Sequence, residues 1–279
     1  MPGQTARLGY WLFRHPSAFN FSTPEEKVLI GNSASIFAEA HAFVHTGAAG
    51  DIPVWSWPHP AADDRSRPGV LLLHGWGGEA GLMGAFVAPL KAQGYRVLIP
   101  DLPGQGKAKG RLVDTRQSAA TILELQARHG PFHSIVGHSL GGLLACMAAA
   151  GNEAIGGSVD VTKLVTINSP VSLASVIEGL GGAVGLSPTV IEEVAAKAQG
   201  DLGFPLAEVH AQTLLERADV PALAFHDTDD PFIPHAGSLA HLAKHAKLES
   251  RQTSGLGHIS VLEDEAVIHQ VMDFLGPAG

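Results

Sequence analysis

Apolar residues along this chain fall into two rhythms. From about residue 69 onward, short unbroken apolar runs alternate with longer stretches of helical spacing. "GVLLLHG" (69–75) predicts a strand, "AGLMGAFVAPLKAQG" (80–94) a helix closed by Gly94, and "YRVLIPD" (95–101) the next strand. "DTRQSAATILELQARHG" (114–130) predicts a helix with Asp114 as N-cap and Gly130 just past its end. "FHSIVG" (132–137) is a third strand and "LGGLLACMAAAG" (140–151) a third helix, while "KLVTINS" (163–169) and "VPALAFHD" (220–227) complete the apolar strands. Runs that are apolar at every position belong to strands covered on both faces. Strands alternating with helices are joined by right-handed crossovers into a parallel sheet. The expected class is α/β, a mostly parallel central sheet flanked by helices.

Three regions depart from that rhythm. "AEAHAFVHTGAAGDIPVWSW" (38–57) predicts two strands joined by a Gly-rich turn, which suits an antiparallel edge. Residues 171–219 hold no strand-like run. They hold "SPTVIEEVAAKAQG", a predicted helix with Ser187 as N-cap, Pro188 in the first turn and Gly200 beyond its end. Val190, Ile191, Val194, Ala195 and Ala198 fall on one face of it. The expectation is one domain over 1–279 with a small helical cap insertion at 171–219. The first 35 residues form an extension with no assigned role, in which only a short helix near "PEEKVLI" is predicted.

Composition narrows the partners. Of 279 residues, 45% are hydrophobic, enough for a sizeable core, and the net charge of −9 lacks the basic face that nucleic acid requires. No Lys/Arg-rich run offers a site for anionic lipid. The single cysteine, Cys146, excludes an intramolecular disulfide and lies in an apolar helix, where core packing is its expected role. The first residues lack the uninterrupted apolar stretch of a secretory signal, and no run approaches the roughly 20 apolar residues of a membrane span. The expected setting is the cytoplasm.

Gly137-His138-Ser139-Leu140-Gly141 matches G-x-S-x-G between a predicted strand and a predicted helix. Glycines two residues either side let a strand reverse into a helix, and force the serine into a strained conformation at the sheet's carboxyl end. An ordinary turn serine is the competing reading. A nucleophilic serine needs a base. His258, in "SGLGHISVLEDEAV", follows a Gly-rich loop and precedes the last predicted helix. His235 is the competing base, and His138 is turned elsewhere by the sharp bend. The base in turn needs a carboxylate. "FHDTDDPFIPH" offers Asp227, Asp229 and Asp230 after a strand. Asp230, stiffened by Pro231, is preferred, with Asp227 second.

With these residues in place, the chain resembles the α/β-hydrolase superfamily, whose nucleophile, acid and histidine follow this order. "HGWGG" (74–78), "DLPGQG" (101–106), "GHSLG" (137–141), and "DTDDPFIP" with the later "GLGH" carry the likeness, over roughly residues 38–275. The resemblance implies Asp230 as the acid. Some members carry it after the preceding strand, but that place here reads "INSP", with Asn168 and no carboxylate. It also implies an oxyanion hole from the backbone N–H groups of Trp76 and Leu140. Lys107 departs from the serine that many members have after "D-x-P-G-x-G".

Other motifs carry less. "GQGKAKG" and "GWGGEAG" lack the spacing of a dinucleotide loop. "HAFVH" (41–45) and "HLAKH" (241–245) lack the glutamate and third ligand of a zinc site. The expected function is a serine hydrolase of the esterase and lipase kind. Ser139, His258 and Asp230 would act through an acyl-enzyme on a small ester with an apolar acyl group, with no metal or organic cofactor. The same triad could serve a thioester, an amide, a carbon–carbon bond or perhydrolysis. A catalytically silent binding module is the reading from another class.

Overall fold

Eight strands, β1 (His41–Gly47), β2 (Gly50–Trp57), β3 (Gly69–Leu73), β4 (Arg96–Pro100), β5 (Phe132–His138), β6 (Lys163–Ile167), β7 (Ala222–Asp227) and β8 (Leu248–Thr253), form one sheet. Their order is β1-β2-β4-β3-β5-β6-β7-β8. The computed structural model describes residues 2–16, 23–57, 67–108, 112–238 and 246–278. "HLAKH" (241–245) lies outside the described residues. β1 and β2 form the expected antiparallel edge, and every other pairing is parallel except β2 with β4.

Both faces of the sheet are covered. Leu71, Leu73, Ile135, Leu164 and Ala224 face a cluster that includes α5 (Thr115–His129), α6 (Leu140–Ala150) and α9 (Ala211–Ala218). Val70, Leu72, Val136, Val165 and Phe225 face the other side, against α4 (Val87–Ala92) and α10 (Glu265–Leu275). Alternate residues of one strand thus feed two cores, so the central strands carry unbroken apolar runs. Cys146 is buried in α6, and that burial pushes its thiol up to about 12.

Four elements differ from expectation. The helix expected over 80–94 is a 3-10 segment, Ala80–Phe86, followed by α4. Pro89 has no N–H to continue a ladder from the preceding turn. The helix expected to end at Gly200, α8 (Pro188–Leu202), runs on to Gly203, which has φ +78°, and Ser187 makes no side-chain cap bond. Its buried stripe of Val190, Val194 and Ala198 continues to Leu202, and that burial carries the helix past Gly200. β8 was not anticipated, because "LESRQT" is an edge strand with little apolar character. Nor was α1 (Pro2–Arg14), which precedes α2 (Pro24–Asn32) and α3 (Ala34–Ala38). Ala6 and Phe13 of α1 are buried, and Gly9 packs so closely on the segment before α8 that a Cβ would lie 2.9 Å from Leu186. Asp201 at the end of α8 accepts from the Tyr10 hydroxyl at 2.5 Å and pairs with Arg14 at 2.7 Å.

Residues 171–219 fold as α7 (Leu173–Ala183), α8 and α9, with no named strand among them. Among the described residues no helix is long and apolar enough to cross a membrane.

Candidate active site

Ser139 stands between the last residue of β5 and the first of α6, with φ 52° and ψ −127°. Sterics dictate the surrounding glycines. A Cβ on Gly137 would lie 2.5 Å from the Gly141 carbonyl, and one on Gly141 would lie 2.5 Å from the His74 carbonyl oxygen. One on Gly75 would lie 2.8 Å from the Ser139 Cβ. The strained turn is held by the Ser139 N–H, which donates to the Ile167 carbonyl at 2.9 Å. Ser139 is half-buried while both its neighbours are buried, so the turn lifts this one residue toward solvent. Its hydroxyl makes no capping bond to α6.

His258 lies on the loop between β8 and α10. Its Nδ1 is 2.6 Å from Asp230 Oδ2, with side-chain exposures of 11% and 1%. The other Asp230 oxygen accepts the N–H groups of Phe232 at 2.8 Å and Ile233 at 3.0 Å. Burial works to raise the Asp230 carboxyl, but the His258 bond and charge and those two N–H groups outweigh it and hold it below the usual carboxylate range. An ionised Asp230 can only accept, so the ring proton sits on Nδ1 and Nε2 is left as an acceptor.

The remaining two aspartates build the loop. Asp227 accepts from the Asp229 N–H at 3.0 Å, the Thr253 hydroxyl at 2.8 Å and the Leu256 N–H at 3.1 Å. Asp229 accepts from the Gly255 N–H at 2.8 Å. Of the three aspartates, Asp230 is the one that bonds His258. Burial opposes ionisation of Asp227, yet these donors prevail and depress its carboxyl. A depressed folded-state value contributes stability above the ordinary carboxylate range near 4, and that stability is lost as pH falls through the folded value. Asp227→Asn should therefore lower Tm at neutral pH, with the gap from wild type closing below about pH 4. A gap that does not depend on pH would remove the ionised carboxylate from this account.

Two polar residues that sequence reasoning did not place as functional bring the histidine loop to the elbow. Asn168, with φ 47°, donates to the carbonyls of Gly257 at 2.9 Å and His258 at 3.3 Å, and its own oxygen accepts the Asp227 N–H at 2.8 Å. The available signal was an asparagine just beyond an apolar strand, since Asn tolerates positive φ. His138 donates from Nε2 to the His258 carbonyl at 2.9 Å, and the two rings lie 4.7 Å apart. Burial first, and the nearby His258 second, push His138 down to about 3. It stays neutral, with its donor committed to that carbonyl. His235 sits instead against Gln252 of β8 at 2.7 Å.

On the opposite side, the turn after β3 runs from Gly75 to Gly78 and is closed by the Gly78 N–H to the Gly75 carbonyl at 3.2 Å. His74 ties it to the "DLPGQG" loop by accepting the Leu102 N–H at Nε2, 3.0 Å away. The Trp76 indole N–H donates to the Phe13 carbonyl of α1 at 2.9 Å. Leu140 is the first residue of α6, where an N–H has no partner within the helix. At Lys107, the backbone N–H reaches Asp101 at 2.6 Å and the ammonium lies 5.2 Å from the Trp55 ring centroid.

Solved structures share this architecture. A bacterial membrane phospholipase A superposes with a TM-score of 0.62 at 18% identity, over 90% of this chain and 92% of that one. Est1E from Butyrivibrio proteoclasticus gives 0.63 at 17% identity, over 84% and 97%. Among curated proteins, the pimeloyl-[acyl-carrier protein] methyl ester esterase of Sodalis glossinidius (strain morsitans) is 32% identical over 146 residues, 52% of this chain and 51% of that protein. The corresponding protein of Edwardsiella ictaluri (strain 93-146) is 40% identical over 81 residues, 29% of this chain and 30% of its own. The chain thus spans about half the length, or less, of these relatives. Residues 68–220, from the start of β3 to the approach to β7, match the model of the family described as alpha/beta hydrolase fold, and to that family this chain belongs.

Proposed function

We propose that the protein is a serine hydrolase that cleaves carboxylic esters through an acyl-enzyme on Ser139. The observation that carries this reading is the 2.6 Å bond between His258 and Asp230, on a loop tied through His138 and Asn168 to the strained serine. Asp230 fixes the tautomer with Nε2 bare. Nε2 takes the hydroxyl proton as Ser139 attacks the acyl carbon, and the imidazolium then protonates the leaving alcohol. The backbone N–H groups of Trp76 and Leu140 receive the tetrahedral oxyanion, each such donor contributing about 3 kcal/mol in the transition state. Water, deprotonated by the same imidazole, releases the acid.

The curated relatives are named for hydrolysis of a methyl ester, which favours an ester over an amide or a carbon–carbon bond. The α7–α8 region supplies the cap over the site. Its Ala, Val, Leu and Gly content suits an apolar acyl group. The test is a series of chromogenic esters from acetate to octanoate, with a thioester and an anilide of the same acyl group as controls. Ester turnover should exceed anilide turnover by orders of magnitude. kcat/KM should climb by up to about fourfold per methylene while chain still enters the pocket, from roughly 0.8 kcal/mol per buried CH₂. A folded protein that neither turns over any ester nor labels at Ser139 with a fluorophosphonate would leave the binding-module reading.

A further inference from the structure

Gln105, in "DLPGQG", is 2% exposed, and its side-chain oxygen accepts the Gly77 N–H at 2.6 Å. Its backbone is fixed on both sides, by the Gln105 N–H to the Leu102 carbonyl at 3.0 Å and the Ala108 N–H to the Gln105 carbonyl at 2.9 Å. Gly106 behind it has φ 52°, and a Cβ there would lie 2.5 Å from the Asp101 carboxyl. The loop therefore delivers this carboxamide to one place. Its Nε2 has no partner among the described residues, so the oxygen is the half in use.

The N–H that Gln105 holds belongs to a peptide with two available orientations. The 75–78 turn has φ +75° at Gly77 and no positive φ at Trp76, which makes it type II. A glycine in the third position adopts type I equally well, and the two types differ by a flip of the central peptide, here Trp76–Gly77. The flipping peptide and the oxyanion donor on Trp76 share one α-carbon. A turn that exchanges between types blurs the donor's position, and such donors act only when fixed before charge develops. On the far side, the Trp76 ring is gripped by the Phe13 carbonyl, and Pro16 lies where a Gly77 Cβ would be 3.3 Å from it. α1 and the Pro16 that follows it thereby close the second side of the same turn.

We propose that Gln105 is a positioning residue for the oxyanion hole, holding the Trp76–Gly77 peptide in the orientation that aims the Trp76 N–H at the reacting carbonyl. This rests on the Ser139 ester-hydrolase reading. The experiment compares wild type with Gln105→Met, which keeps length and volume but removes the acceptor, and with Gln105→Asn, which withdraws it. Active sites are counted with a fluorophosphonate, so rates refer to competent enzyme. Per site, kcat should fall about tenfold or more, part of the hundredfold or greater effect of losing a donor outright. KM should stay within about twofold, as for an interaction made only in the transition state. The affinity for an alkyl trifluoromethyl ketone, which forms a tetrahedral oxyanion on the serine, should fall in parallel with kcat/KM in both variants, while Tm holds in Gln105→Met. Unchanged kcat per site in both variants would overturn the proposal, as would a rate loss that tracks lowered Tm and leaves ketone affinity intact. A wild type that neither labels nor hydrolyses esters would instead overturn the Ser139 reading.

Discussion

Ser139→Ala is expected to lower ester turnover by about five to six powers of ten, and Ser139→Gly should do the same while making the protein more stable than wild type. Both follow from one conformation. Without its hydroxyl the site retains only binding and the oxyanion donors, worth about three or four powers of ten over water. The backbone at φ 52°, ψ −127° lies outside the regions open to residues with a Cβ. Such strain costs roughly 1–3 kcal/mol. Alanine keeps the Cβ and the strain, whereas glycine removes both. The expected Tm order is therefore Gly above Ser, with Ala near Ser. The Ser139 N–H bond to Ile167 is a backbone bond that all three retain. Thermal melts with single-turnover assays check both halves. Appreciable turnover by the alanine variant would end the nucleophile assignment. A glycine variant melting below the alanine variant would mean the surrounding packing, not the turn, sets the local energy.

The elbow and the parallel strands were legible because sterics write them directly into residue type. Gly75, Gly137 and Gly141 sit where any side chain would strike backbone or the serine. β3, β5, β6 and β7 each carry an apolar run without polar alternation, because successive residues feed two cores. What escaped is stabilised by partners far along the chain. α1 exists through Ala6, Gly9 and Phe13 packing toward the α7–α8 region, and through Tyr10 and Arg14 converging on Asp201, contacts that no local pattern announces. β8 takes its order from β7 and not from its own polar sequence. Gln105 illustrates the same limit. In the sequence it is a polar loop residue, and only the fold brings its oxygen to Gly77. The His258–Asp230 pair was half legible. Three aspartates end or follow β7, and a stiff Pro231 favoured Asp230. The separate duties of Asp227 and Asp229 depend on where residues 253–256 pass.

That division of labour sets the second large effect. Asp230→Asn is expected to cost about four powers of ten in kcat, whereas Asp227→Asn should cost a decade or less at temperatures where both are folded. In Asp230→Asn the amide oxygen keeps the Phe232 and Ile233 N–H bonds, which turns the NH₂ toward His258 Nδ1. A donor there requires Nδ1 to be the acceptor, so the ring's proton moves to Nε2, the atom that has to be bare to accept the serine proton. The imidazolium also loses its counter-charge. Wrong tautomer at an otherwise intact site is worth about 10⁴ in rate. Asp227→Asn leaves the His258–Asp230 bond in place and weakens instead the carboxylate that gathers Thr253 and Leu256. Its loss should appear first as a lowered Tm and an activity that cooling restores, because a loosened loop is repopulated by temperature and a misplaced proton is not. His258→Ala should match Asp230→Asn or exceed it, since the members of such a unit fail together. Were Asp227→Asn the more damaging to kcat at low temperature, the acid would be Asp227, and the 2.6 Å bond would be a feature of the resting loop alone.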